Sequence, residues 1–244
     1  MRFLMGVLFL GAAMTSSADQ ISVLSGGAAK SFIEPLAKTF PGHTVKLEFQ
    51  PMGKLTRSLA DGYQADMVVV TSEVLDQVKN QVRIEQAKPI ARVGIGVAVH
   101  ESARAPDIST VEAFKKTLLA AKSVVYIDPK VGTSGKHVAE ILQRLGIADQ
   151  VNAKARLGSG GYITEPVGRG EIELGIHQIS EILPVKGVKL AGPLPAELQK
   201  YTVYVAVPVT QSSKQQAVSD LIRHLGGPAA RERLAQAGYT APGE

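Results

Sequence analysis

Three short stretches of this chain carry the residue types from which an anion site is built. Ser25-Gly26-Gly27-Ala28 follows the apolar run Ile21 to Leu24 and precedes a helical pattern. Gly132-Thr133-Ser134-Gly135-Lys136 follows the apolar run at 123–128 in the same way, and Gly158-Ser159-Gly160-Gly161-Tyr162 repeats the device more loosely. A helix N-terminus presents unpaired N–H groups and about half a positive charge, so anions bind there without a basic side chain. Glycine lets the backbone come close. Thr133, Ser134 and Tyr162 add hydroxyl donors, and Lys136 adds a charge. A small anionic ligand is therefore the expected partner.

Few residues are placed to move a proton. The chain has no cysteine, which removes thiolate nucleophiles, thiolate metal sites and disulfides. Its five histidines, His43, His100, His137, His177 and His224, show no metal-ligand spacing, so no metal is expected. His137 follows the Gly132–Gly135 turn, and His177 ends the buried stretch that begins at Glu173. Lys54 adjoins the turn Pro51-Met52-Gly53. Lys54, His137 and His177 are thus the candidate bases. Each also sits where a solvated or structural role would suffice, as do Lys30, Arg57, Lys130 and Arg169. Nucleotide motifs fail: Lys130 stands where a P-loop needs its first glycine, and His137 where it needs Ser or Thr. No G-x-S-x-G elbow occurs. No cofactor is expected.

Alternating strand and helix patterns must position these residues. Helix spacing of Phe32, Ile33, Leu36, Ala37 and Phe40 predicts a helix near Ala29–Phe40. Thr44–Phe49 alternates as a half-buried strand does, and the run at 65–70 suits a strand covered on both faces. A short helix is expected at Lys54–Asp61 and another near Ser72–Val82. The run at 92–100 reads as one long strand crossing into a second lobe. A helix at Thr110–Ala121, a glycine turn, helix and Gly146 stop over 129–147, strands at 123–128, Val151–Leu157 and Glu173–Ile176, a return strand at Thr202–Val207 and two closing helices complete the pattern. This predicts an α/β protein whose two lobes each hold a mostly parallel sheet flanked by helices, with the ligand cleft between them. The expected division is 19–92 with 208–244 for the first lobe and 93–207 for the second, hinged near 93–99 and 201–207.

Composition narrows the class. The formal charge is +5, but acidic and basic residues are interspersed, there is no basic run and there is no tryptophan. That is not a nucleic-acid footprint. Arg2 followed by the eleven apolar residues Phe3–Ala13 is too short to span a bilayer and fits an export signal over residues 1–18, with Ser16 and Ala18 before the cleavage point. Without a cysteine there is no site for an N-terminal lipid anchor, so a free periplasmic protein is expected.

The segments "ISVLSGGAAKSFIEPLAKTF", "PMGKLTRSLADGYQADMVVVTS", "GRGEIELGIHQISEI" and "GGPAARERLAQAGY" resemble, in order and spacing, the molybdate-binding group of periplasmic solute-binding proteins. The resemblance implies a type II two-lobed fold, a monomer that closes on an oxyanion and delivers it to an ABC permease in the inner membrane. It also implies a ligand set of Ser25, Gly26, Gly27, Ala28, Met52, Gly53, Lys54, Thr133, Ser134, Gly135, Lys136, Gly160, Gly161, Tyr162 and Gln178. Three positions depart from the pattern: Ala28 replaces a serine, Pro51-Met52-Gly53-Lys54-Leu55 replaces a serine-rich loop, and Gln178 replaces a tyrosine. A micromolar site needs about 8 kcal/mol, and charge-assisted hydrogen bonds contribute about 1.5–3 kcal/mol each, so about three or four donors are required. With those hydroxyls gone, an organic carboxylate held by Lys54, Ser134, Lys136 and Tyr162 is expected rather than molybdate. The chain also resembles bacterial aconitate isomerases, exported enzymes on the same fold. That implies an alternative, an allylic proton shift in a tricarboxylate without metal or nucleotide.

Overall fold

The computed structural model describes residues 20–243. The expected export signal lies outside the described residues. From the N-terminal side, β1 (Gln20–Gly26) leads through a 3-10 turn, Gly27–Ala29, into α1 (Lys30–Lys38). α1 buries Phe32, Ile33, Leu36 and Ala37 along one face, the stripe a helix presents to a sheet. β2 (Thr44–Gln50), α2 (Met52–Ala60), β3 (Met67–Thr71) and β4 (Lys88–Val93) follow. Every residue of β3 is buried, as its continuous apolar run requires. The stretch expected as a helix at 72–82 forms a 3-10 segment, Ser72–Val78.

The second unit comprises β5 (Ile95–His100), α3 (Val111–Ala120), β6 (Val124–Ile127), α4 (Thr133–Arg144), α5 (Ala148–Asn152), β7 (Ala155–Gly158), α6 (Glu165–Gly168), β8 (Leu174–Gln178), α7 (Ile179–Ile182) and β9 (Val188–Pro193). The chain then returns through β10 (Thr202–Pro208) and closes with α8 (Gln215–Leu225) and α9 (Pro228–Gln236). Two sheets result, ordered β2-β1-β3-β10-β4 and β7-β6-β8-β5-β9.

In each sheet four strands share one direction and a single strand, β10 or β5, runs against them. The reason is geometric. The co-directional strands point their carboxyl ends at the cleft. A strand arriving from the other unit enters at that same edge, so it must run away from it.

Two boundaries differ from the sequence expectation. The run at 92–100 is not one strand: β4 ends at Val93 in the first sheet and β5 starts at Ile95 in the second, with Gly94 between. The return strand pairs with β3 and β4, so 202–207 sits in the first sheet rather than with 93–201. A buried apolar run reports that it is covered, not which sheet covers it. β9 was not expected; it is a half-buried edge strand ending in Gly192-Pro193.

The crossings are fastened to each other. The Gln199 side chain accepts from the Ile95 N–H at 2.8 Å and donates to the Ile95 carbonyl at 2.9 Å, serving in place of a strand partner. Each unit has its own core: Phe32, Leu36, Leu221 and Leu225 with Leu24, Leu55 and Val68 in the first, and Phe114, Leu118, Leu142 and Ile176 in the second. Units with separate cores are able to move as bodies about short connections.

Candidate functional site

A cleft of about 410 Å3 opens where the carboxyl ends of β1, β2, β3, β6 and β8 face each other. Gly26–Ala28, Lys30, Ser31, Phe49–Met52 and Thr71 form its first wall. Ile127, Val131–Ser134, Ser159–Tyr162, His177, Gln178, Ser180 and Glu181 form the second, and Tyr204 closes the floor. The helices that start here are uncapped: neither Ala29 before α1, Pro51 before α2, nor Gly132 before α4 gives a side-chain cap. α3, which does not start at the cleft, is capped by Thr110, whose Oγ1 accepts the Ala113 N–H at 3.1 Å. Uncapped N–H groups aimed into a cleft are anion donors.

Of the residues expected from sequence, Gly26, Gly27, Ala28, Met52, Thr133, Ser134, Gly160, Gly161, Tyr162, His177 and Gln178 line this cleft. The others do not. Ser25 is buried behind it, its hydroxyl donating to the Gly26 carbonyl. Gly53 and Lys54 are exposed on α2, and Lys54 lies on the Glu48 side of that helix. Gly135 supports packing: a Cβ there would lie 2.1 Å from the Ile127 carbonyl oxygen, so only glycine lets α4 seat on the end of β6. Lys136 is exposed, and His137 engages the Leu198 carbonyl at 2.8 Å, at the foot of the second crossing. Gln178 is committed on both sides of its amide. It donates to Thr202 Oγ1 at 3.0 Å and accepts from the Tyr204 hydroxyl at 3.3 Å, joining the two sheets.

His177 is the buried base of the cleft, 2 % exposed. Its Nε2 lies 3.0 Å from Glu181 Oε2 and 3.1 Å from the Gly161 carbonyl. Both partners only accept, so Nε2 carries a hydrogen. The lone pair of the neutral ring is then on Nδ1, which faces Ser134 Oγ at 3.4 Å. Gly161, with φ of 69° after Gly160 at 127°, adopts a backbone that L side chains avoid, and this turns its carbonyl toward the ring. Ser134, His177 and Glu181 thus form a chain able to accept a proton at one end and spread the resulting charge to a carboxylate at the other.

Sequence reasoning missed Ser31, Thr71, Ser180 and Glu181. The Thr71 hydroxyl oxygen is buried in the cleft wall without a hydrogen-bond partner among the described residues, whereas the Ser31 and Ser180 hydroxyls lie against the Tyr239 hydroxyl. An unmade buried hydrogen bond costs about 1–3 kcal/mol, so the Thr71 hydroxyl calls for a partner. Behind Ser31 and Ser180 stands Tyr239, whose hydroxyl donates to the Ala28 carbonyl. Burial pushes the Tyr239 phenol up to about 12 and holds Tyr204 well above the ordinary tyrosine range, so both remain neutral donors. Glu181 was legible: a carboxylate four residues after His177, where a strand becomes a helical turn, falls beside it.

A family model described as bacterial extracellular solute-binding protein matches residues 21–240. Aconitate isomerase of a Pseudomonas species is 31% identical over 248 aligned residues, covering 96% of this chain and 94% of that protein. The molybdate-binding protein ModA of Azotobacter vinelandii is 25% identical over 96% of both chains. The solved structure of the Azotobacter vinelandii periplasmic molybdate-binding protein superposes with a TM-score of 0.73 at 16% identity, over 91% of this chain and 99% of that one.

Proposed function

The chain belongs to the bacterial extracellular solute-binding proteins, and we propose that its cleft captures a small organic polycarboxylate and shifts a proton within it, an isomerisation of the aconitate type. The observation that carries this is His177, tied at Nε2 to Glu181 and facing Ser134 with Nδ1 inside the cleft. A bare oxyanion needs donors and no base. The identity with a Pseudomonas aconitate isomerase across nearly the full chain supports the same chemistry.

In this scheme the uncapped start of α1, with Lys30, holds the carboxylates, and the start of α4 faces the reacting end. His177 Nδ1, directly or through the Ser134 hydroxyl, takes a proton from the carbon next to a carboxylate. The double bond moves, and the proton returns to the carbon that was the far end of the alkene. One C–H bond breaks and one forms, with no redox change. The charge that develops on the carboxylate is stabilised by the helix N–H groups.

Incubating the full chain with cis-aconitate in D2O and following it by proton NMR tests the proposal. Accumulating trans-aconitate with deuterium at the shifted carbon is the expected result. A rate equal to the protein-free control would overturn it.

The family favours a second reading, in which the same polycarboxylate is bound unchanged and handed to an ABC permease in the inner membrane. Two separately cored units joined at Gly94 and at residues 199–201 suit hinge closure for either purpose. A periplasmic location and a monomeric state belong to both readings. A thermal shift with aconitate but no interconversion would select the carrier.

A further inference from the structure

We propose that Ser134 is an activated acyl-accepting nucleophile and that the cleft hydrolyses small carboxylate-bearing esters or lactones. The strand–turn–helix unit of β6 and α4 sets Ser134 on the first turn of a 12-residue helix, within the cleft wall. Its Oγ faces the lone-pair nitrogen of His177 at 3.4 Å, the looser spacing common before substrate is bound. The opposite ring nitrogen is fixed by Glu181 at 3.0 Å. Nucleophile, base and orienting carboxylate are therefore in sequence through one imidazole, the arrangement that activates a serine.

An oxyanion site accompanies them. The first backbone bond at the start of α4 is from the Lys136 N–H to the Gly132 carbonyl, at 3.1 Å. The N–H group of Ser134, a cleft-lining residue, precedes it, and Gly132 supplies no side-chain cap. It belongs to the residue that carries the attacking oxygen, at a helix start that favours the negative charge of a tetrahedral intermediate.

The step balances with water alone. The Ser134 hydroxyl proton passes to His177 Nδ1 as Oγ bonds to the acyl carbon. The C–O bond to the leaving alcohol breaks with its electrons, and the alkoxide takes that proton. Water then adds to the acyl group, giving a proton to Nδ1. The carbon–Oγ bond breaks, and the proton returns to Oγ. Lys30 and the start of α1 on the facing wall select an acyl or alcohol part that carries a carboxylate. This chemistry shares the dyad with the proton shift, yet it does not require that aconitate be the substrate.

The absence of cysteine provides the test, because Ser134→Cys would hold the only thiol in the chain. An ordinary thiol titrates near 8.5. Alkylation of Ser134→Cys by iodoacetamide should follow a midpoint about 2 pH units lower, and adding His177→Gln should raise it by about 1 unit or more. Should that double variant fail to fold by circular dichroism, Ser134→Cys with Glu181→Gln is read instead, and the midpoint should again rise. An ordinary thiol profile, or a lowered one unmoved by these changes, would overturn the proposal. In parallel, mono-p-nitrophenyl succinate, which carries a carboxylate, should release p-nitrophenol faster with the wild-type chain than with Ser134→Ala. Equal rates would equally overturn it. Neither readout involves aconitate, so failure here and failure of the isomerase reading are distinguishable.

Discussion

The two walls of the cleft are built from the same parts and equipped differently. Each is the carboxyl edge of a five-stranded sheet with a glycine turn feeding an uncapped helix. The first wall offers Gly26–Ala28 backbone, Lys30, the Thr71 hydroxyl and an apolar patch of Phe49, Pro51 and Met52. Its side chains hold charge or fill space, and none of them is a histidine or a carboxylate. The second wall carries Ser134, His177 and Glu181. In the proposed scheme, holding an anion is mainly the task of one unit and moving a proton that of the other.

The largest effect that can break this division is on His177. Replacing it with Gln should lower aconitate interconversion by about 10²–10⁴-fold, the usual worth of general acid–base catalysis. Affinity, measured by calorimetry, should change little, because the first wall is untouched. Equal loss of binding and turnover would show that the second wall also holds the ligand. Gly135→Ala comes next. Its Cβ would collide with the Ile127 carbonyl, so α4 must lift and carry Ser134 away from His177. Chemical denaturation should show a loss of about 1–3 kcal/mol, typical of overpacking, with turnover reduced in the same variant.

Why one wall was more legible than the other follows from the range of the interactions. Strand–glycine–helix starts are local, so the sequence placed Gly26–Ala28, Thr133–Ser134 and Gly160–Tyr162 at what proved to be one cleft. Side-chain direction was harder. Lys136 lies two residues beyond Ser134, about 200° around the helix, and so faces solvent. His137 turns to Leu198, a residue 61 positions away that no local pattern reveals. Thr71 closes a strand whose five residues are all buried, so nothing in its neighbourhood marked it as a cleft residue. The same blindness to distant partners hid the sheet to which β10 belongs, although its strand character was plain.

On the holding wall, Lys30 should matter moderately. It lines the cleft but is largely exposed, with its ammonium 5.8 Å from the centre of the Phe49 ring. Lys30→Ala should weaken polycarboxylate binding by about 0.5–1 kcal/mol at low salt, near the upper end for exposed charges. The deficit should shrink as ionic strength rises and the Debye length falls toward about 8 Å. A titration series across salt concentrations checks this, and turnover at saturating ligand should be preserved. A fall in turnover at saturation would instead place Lys30 in the chemistry and blur the division.

Thr71→Val is the smallest change and the sharpest in sign. The Thr71 hydroxyl is buried without a partner, while the residue it pairs with across the ladder is Tyr204, on the cleft floor. A methyl in its place removes an unmet hydrogen-bonding group at nearly constant volume. The ligand-free protein should therefore gain up to about 1 kcal/mol of stability. If that hydroxyl is reserved for the ligand, affinity should fall by a similar amount, so one substitution should raise the melting temperature without ligand and lower the shift that ligand adds. Both moving upward would mean that Thr71 is a packing residue and that the first wall holds its anion by backbone and Lys30 alone.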